Sequence, residues 1–302
     1  VKIKRRMSRN ERREALEGYL FVLPLLVGLV GLTLWPVIRS LMISFCQYNI
    51  MNPAKFVGGR NYIELFHDPL FWQSLKVTVI YSIVSVPLGL AAGLAVALLM
   101  NQKVRGISLF RTIYYLPAVV SGVAVSLLWV WIFNPDYGLA NTALKSVGIA
   151  PQQWLSSPKT ALGSLIFMSL WGVGGGMVIY LAGLQSVPGQ LYEASEIDGA
   201  NSLQQFRHIT LPMLTPVIFY NLVMGIIGSF QVFTQAFVMT GGGPVNSTLF
   251  YVLYLYKQAF NYFHMGYASA MAWILFAIIL VLTLLVFKSS SMWVYYEGER
   301  RN

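Results

Sequence analysis

The chain reads as an all-α integral membrane protein with six transmembrane helices, and three observations carry this. Hydrophobic residues make up 56% of the 302 residues and charged residues only 11%, with a mean hydropathy of +0.62. That is too apolar for a soluble domain of this length. Six runs reach the roughly 20 apolar residues that a helix needs to cross a bilayer: 19–45, 72–100, 110–133, 161–184, 213–240 and 265–287. Lys and Arg are also unevenly placed. With the N-terminus inside, the cytoplasmic pieces hold 14 of the 21 and the outer pieces 7, so both termini are expected in the cytoplasm. Lipid cannot satisfy backbone N–H and C=O groups, which makes helix the required state. The short alternating segments of a membrane barrel do not occur.

Taken in order, residues 1–18 form an expected cytoplasmic amphipathic segment, with a short helix over 8–18 opened by Ser8 and Glu11 at capping-box spacing. Residues 19–288 form the membrane domain and 289–302 a cytoplasmic tail. The first apolar run is long and no small-residue cleavage pattern follows it, so an uncleaved anchor is expected rather than a signal peptide. Pro24, Pro36 and Pro87 fall inside spans and predict kinks. The outer loops, 46–71, 134–160 and 241–264, are too short to be soluble domains. Gly241-Gly242-Gly243-Pro244 is the strongest turn signal among them. Cys46 is the only cysteine, which excludes an intrachain disulfide or a Cys-x-x-Cys site.

Several chemistries are excluded. No acidic residue lies inside any span, which argues against a proton relay. No phosphate loop of the G-x-x-x-x-G-K-[ST] type occurs, so the chain itself is not expected to bind ATP. His67, His208 and His264 are far apart, in expected loops, and give no metal site. Nothing resembles a nucleophile–base pair. The net charge of +10 is read as an orientation signal and not as a nucleic-acid surface.

The polar loop 186–212 is the feature that apolar composition does not explain. Glu193, Glu196 and Asp198 load a short expected helix, Ala194, Ile197 and Ala200 give it a small apolar face, Gly199 predicts a turn, and Pro212 is expected to close the loop. Such a helix can dock into a cleft of a basic partner or lie on lipid. An acidic rim fits anionic inner-leaflet lipid poorly.

The pattern Glu193-Ala194-Ser195…Asp198-Gly199-Ala200, with Ile209-x-Leu211-Pro212 behind it, resembles the EAA loop of permease subunits in binding-protein-dependent ABC importers. Ser195 stands where that motif has a second Ala. Arg60-Asn61-Tyr62, Asp68-Pro69, Phe71-Trp72, Thr240 to Pro244 and Phe263 to Ala270 are similar to carbohydrate permeases of the maltose and glycerol-3-phosphate type. The resemblance implies a type I ABC importer permease fold, like that of the methionine importer permease. It implies a second, different permease subunit, two ATPase subunits that bind ATP and Mg, an extracytoplasmic solute-binding protein, a sugar substrate and a place in the bacterial or archaeal inner membrane. It also implies that Glu193, Ala194, Ser195, Asp198, Gly199 and Ala200 form a coupling helix against the ATPase.

The fifth run carries Asn221, Gly225, Gly228, Val232 and Gln235 on one helical stripe, flanked by Ser229 and Gln231. The fourth carries Trp171 and Gly172-x-x-x-Gly176. Amides at membrane depth either line a watery path or bond across helices. Both readings stand for these residues, as a sugar path with a stacking aromatic (Trp171, Phe230 or Phe233) or as close helix packing.

Overall fold

A computed structural model describes residues 9–295. In chain order it places α1 (Arg9–Gly28), a π-helical turn (Leu29–Leu34), α2 (Trp35–Ser44), strands β1 (Cys46–Gln47) and β2 (Lys55–Phe56), α3 (Arg60–His67), α4 (Pro69–Met100), α5 (Ile107–Val119), α6 (Gly122–Ile132) and α7 (Leu139–Ser146). There follow α8 (Ala161–Ser169), a 3₁₀ turn (Leu170–Gly172), α9 (Gly174–Ser186), α10 (Gly189–Ile197), α11 (Ser202–Gln205) and a π turn (Phe206–Thr210). The last elements are α12 (Leu211–Phe230), α13 (Thr234–Met239), α14 (Tyr251–Tyr256), a π turn (Lys257–Asn261) and α15 (Met265–Trp293).

Four helical stretches are long and apolar enough to span a membrane: Arg13–Ser44, Pro69–Met100, Ser202–Met239 and Met265–Trp293. Two further pairs, α5 with α6 and α8 with Leu170–Gly172 and α9, are bent by 98° and 44°, giving six spans when each pair counts as one. The third span expected over 110–133 takes the form of such a bent pair. Val120 and Ser121 are extended, with ψ of 142° and 132°. Pro117 lacks an N–H, and the β-branched pair Val119-Val120 followed by Ser and Gly offers little helix propensity to bridge the break.

Two compact units are found, one of residues up to Leu65 with Gln258–Trp273, the other of Phe66–Lys257 with the residues from Ile274 onward. In the first unit α1 runs through the boundary expected at residue 18, and Ser8 of the expected Ser8–Glu11 capping pair lies outside the described residues. The side chains of Leu20, Phe21, Leu25 and Leu32 are exposed, as lipid-facing groups are. The β1–β2 pair, Cys46 opposite Phe56, is a small departure from an all-helical chain. Buried Asn61 holds this turn by donating Nδ2–H to the carbonyls of Ser44 (2.7 Å) and Cys46 (3.0 Å). Gly266 sits so close to the Cys46 carbonyl that a Cβ would overlap it. The sequence segments around Asn61 and Gly266 thus meet at one strand end.

In the second unit α4 is the central element, packed by α8, α9, α12 and α14. Ala97, Met177, Tyr180 and Leu214 are almost wholly buried at its C-terminal end. Asp68 caps α4 by accepting from the Leu70 N–H (2.9 Å) and from the Tyr254 hydroxyl. Arg111 closes the other end, donating Nε–H and Nη2–H to the Met100 carbonyl. α9 crosses α5 at Gly174, where a Cβ would overlap the Tyr114 carbonyl, and crosses α12 at Gly183, whose Cβ would press on Val217 and Leu214.

Pro212 does not close the preceding loop. The helix runs on through it, because the π turn ends with Leu211 N–H donating to the Phe206 carbonyl and widens the coil just before the proline. Pro216 likewise cannot donate to the Pro212 carbonyl, and the Thr215 hydroxyl takes that role at 2.6 Å. α15 continues to Trp293, past the tail boundary expected at residue 288.

Candidate functional site

Spans two, four and five line an open cavity of about 490 Å³. Span two gives Tyr81, Ser85, Val86, Gly89 and Leu90; span four gives Ser169, Gly172, Val173, Gly176, Ile179 and Tyr180. Span five gives Tyr220, Asn221, Met224, Gly225, Gly228, Ser229, Val232 and Gln235. Every member of the stripe read from the sequence lines it, although α12 ends at Phe230 and a new helix starts at Thr234. No Asp, Glu, Lys, Arg or His is among the lining residues. The polar groups are hydroxyls and amides, which suits an uncharged hydrogen-bonding solute.

The amides and hydroxyls are partly committed. Asn221 donates Nδ2–H to the Val217 carbonyl at 2.9 Å, and its Oδ1 faces Gly176, 3.4 Å from where a Cβ there would lie. Ser229 and Ser82 share a hydrogen bond at 2.7 Å across α12 and α4, and Ser229 also donates to the Ile226 carbonyl. Gln235 is half-buried, and no hydrogen bond to its amide is recorded among the described residues. An interhelix bond beside the stripe, Ser229 to Ser82, and an open polar wall along it therefore coexist.

Two of the candidate path residues lie elsewhere. Gln231 caps the end of α12 with its backbone N–H on the Gly228 carbonyl, is exposed and does not line the cavity. The helix break rotates it out of the register that an unbroken span predicts. Trp171 is half-exposed in the 3₁₀ turn, edge-on to Trp129 at 6.0 Å, and also stays off the wall. Phe230 is buried, and Phe233 stacks on Phe237 at 5.3 Å. The aromatics that the sequence reading missed are three tyrosines, Tyr81 and Tyr180, which are buried, and Tyr220, which is half-exposed within the cavity; the place of Tyr220 beside Asn221, one residue off the stripe, is the only signal for it. The glycines divide as well. Gly172 and Gly176 face the cavity, whereas close packing is made by Gly174 and Gly183.

The second feature is the loop between spans four and five. α10 ends in a left-handed Gly199 at φ +82°, with Gly199 N–H on the Glu196 carbonyl (3.0 Å) and Ala200 N–H on the Ser195 carbonyl (2.9 Å). That is the Schellman pattern. Asn201 then opens α11 with a full capping box to Gln204, a start signal present in the sequence as Asn-x-x-Gln. Glu193, Ala194, Glu196, Ile197 and Asp198 are exposed, Ile197 by 88%; Ser195 and Ala200 are half-buried. Among the described residues none of these carboxylates has an ion-pair partner; the pairs found are Arg13–Glu17 and Arg60–Glu64. His67 ends α3 and His208 lies in the π turn, not in loops, and the described residues contain no cluster able to hold a metal.

Residues 85–294 match the family described as binding-protein-dependent transport system inner membrane component. The chain is 45% identical over 297 residues to the probable ABC transporter permease protein YesP of Bacillus subtilis (strain 168), covering 97% of this chain and 96% of that protein. It is 36% identical to the trehalose/maltose transport system permease protein MalF of Thermococcus litoralis, covering 93% and 96%. Among solved structures, a chain of the bacterial alginate ABC transporter in complex with an alginate pentasaccharide-bound periplasmic protein superposes with a TM-score of 0.83 at 24% identity, covering 93% of this chain and 96% of that one. That likeness shows the fold, the type I importer permease fold expected from the sequence. The chain is a multi-pass membrane protein and belongs to the family of binding-protein-dependent transport system inner membrane components.

Proposed function

We propose that this chain is one half of the pore of an ATP-driven sugar importer, with the cavity between spans two, four and five as part of the sugar's path. The observation that carries the proposal is the wall itself: amides, hydroxyls and one accessible tyrosine ring, with no charge, on helices long and apolar enough to span a membrane. A sugar presents hydroxyls to such amides and a C–H face to such a ring. Gln235 and Asn221 supply the hydrogen bonds, Tyr220 the stacking surface, and Gly172, Gly176 and Gly228 the width. Relatives named for trehalose, maltose, lactose and arabinooligosaccharides favour an oligosaccharide over other solutes.

The chain does no chemistry of its own. ATP and Mg bind to two partner ATPase subunits, which dock on the exposed carboxylates and on Ile197 of α10. A second permease subunit completes the pore, and an extracytoplasmic binding protein delivers the sugar. The chain lies in a bacterial or archaeal inner membrane with both termini in the cytoplasm. A scaffold without a translocation path would have no reason to keep an open polar wall between its spans.

The test first removes the single native thiol. In a Cys46→Ser background, Gly228→Cys places a reporter where a Cβ meets nothing within 4 Å. We expect a water-soluble maleimide to label it in the assembled transporter, and sugar delivered by the binding protein to protect it. Labelling that sugar never slows contradicts the cavity as the path.

A further inference from the structure

The exposed face of α10 meets the ATPase in the reading above; its inner face has no assigned part. Two residues on that face reach forward. The Tyr192 hydroxyl shares a hydrogen bond with the Thr210 hydroxyl at 2.9 Å. Ser195 Oγ accepts from Gln205 Nε2–H at 3.1 Å while donating to the Tyr192 carbonyl at 2.8 Å. Thr210 is buried, and it sits in the π turn Phe206–Thr210 that leads directly into α12. The extra residue of a π turn rotates the side chains after it relative to a regular helix, and here Thr210 comes to face Tyr192.

Nothing equivalent reaches backward. α9 and α10 are joined by Val187 and Pro188 in extended conformation, ψ 124° and 127°. Among the described residues, no side-chain hydrogen bond links α10 to α9. The asymmetry matters because span five, not the linker to span four, carries the stripe Asn221 to Gln235 along the cavity. Side-chain hydrogen bonds therefore tie α10 to the turn before span five and not to span four.

We infer that Tyr192, Ser195, Gln205 and Thr210 are positioning residues that fasten the coupling helix to the π turn of span five, so that ATPase motion moves the cavity wall on that span. The inference rests on the proposed function and adds the route by which force leaves the loop. Ser195 supplies the acceptor of the second tie. An alanine there could accept nothing from Gln205.

The experiment compares the reconstituted full transporter in three forms: Thr210→Val, Tyr192→Phe/Gln205→Leu, and Thr210→Ser, which keeps the hydroxyl. Sugar transported per ATP hydrolysed is measured beside co-purification of the ATPase. We expect the ratio to fall about fivefold or more in the first two, the low end of typical coupling between distant sites. It should stay within about twofold of wild type in Thr210→Ser, with the ATPase bound in all three. An unchanged ratio in both loss variants overturns the inference. So does loss of ATPase binding in step with uptake in Thr210→Val, because Thr210 is buried. ATP-independent uptake by the wild-type transporter would overturn the underlying reading, a result distinguishable from either.

Discussion

Replacing Gly174 by alanine separates helix packing from pocket lining on span four. An added Cβ at Gly174 would overlap the carbonyl oxygen of Tyr114 and crowd the Cα of Tyr115 at 3.0 Å. Both obstacles are backbone atoms of α5, which cannot rotate away as a side chain can. α5 must shift, and overpacking of this kind costs about 1–3 kcal/mol. Two residues away, a Cβ at Gly172 meets nothing within 4 Å, and Gly172 lines the cavity. We expect Gly174→Ala to lower the unfolding temperature of the purified protein in detergent and Gly172→Ala to leave it unchanged. Gly183→Ala should fall between them, since Val217 and Leu214 meet its Cβ with side-chain atoms, at 2.7 and 2.9 Å. Equal stability of the Gly174 and Gly172 variants would refute the assignment of packing and lining on this helix.

Three further outcomes follow from the site. Gln235→Leu should raise the half-saturating sugar concentration by about 2- to 12-fold, the equivalent of one lost hydrogen bond of about 0.5–1.5 kcal/mol, while Gln231→Leu, off the cavity wall, should transport like wild type; the reverse order in an uptake titration would show that the helix break does not redirect Gln231. Gly199→Pro requires φ near −65° where the chain has +82° and deletes the N–H that closes on Glu196, so ATP hydrolysis and uptake should dissociate in liposomes with membrane insertion intact, and Glu193→Lys should weaken ATPase co-purification. Asn61→Leu strips the Ser44 and Cys46 carbonyls of their donor, at about 1–3 kcal/mol for each group left unpaired, and should lower thermal stability without altering ATPase binding.

Length and apolarity made the spans legible in the sequence, because the bilayer imposes both. Periodicity placed Asn221, Gly225, Gly228, Val232 and Gln235 on one wall, and this held across the break at Gln231–Phe233. The 98° bend between α5 and α6 was not legible, since Val119-Val120-Ser121 in a long apolar run reads as continuous helix when only hydropathy is counted. Nor was the path of the chain through Pro212. A proline after a polar loop reads as a stop, and only the π turn before it shows how the helix accommodates it. The two glycine roles on span four were indistinguishable for a similar reason. Gly172-x-x-x-Gly176 has the spacing of a packing motif, but which glycine meets a neighbour depends on the 44° bend beside it and on where α5 crosses. Tyr220 escaped because one residue separates it from the stripe, and a cavity wall is wider than a helical row. The acidic loop was legible as chemistry, carboxylates without cations nearby, while its inner ties Tyr192–Thr210 and Ser195–Gln205 depend on the π turn.

The most direct test of the account is sugar uptake into liposomes holding this chain with its partner permease and ATPase subunits, measured with and without ATP and with and without the binding protein. Uptake is expected only when both are present, and is expected to be lost when the chain carries Gln235→Leu together with Asn221→Leu. Uptake that persists without ATP, or that is indifferent to both cavity substitutions, would contradict the account.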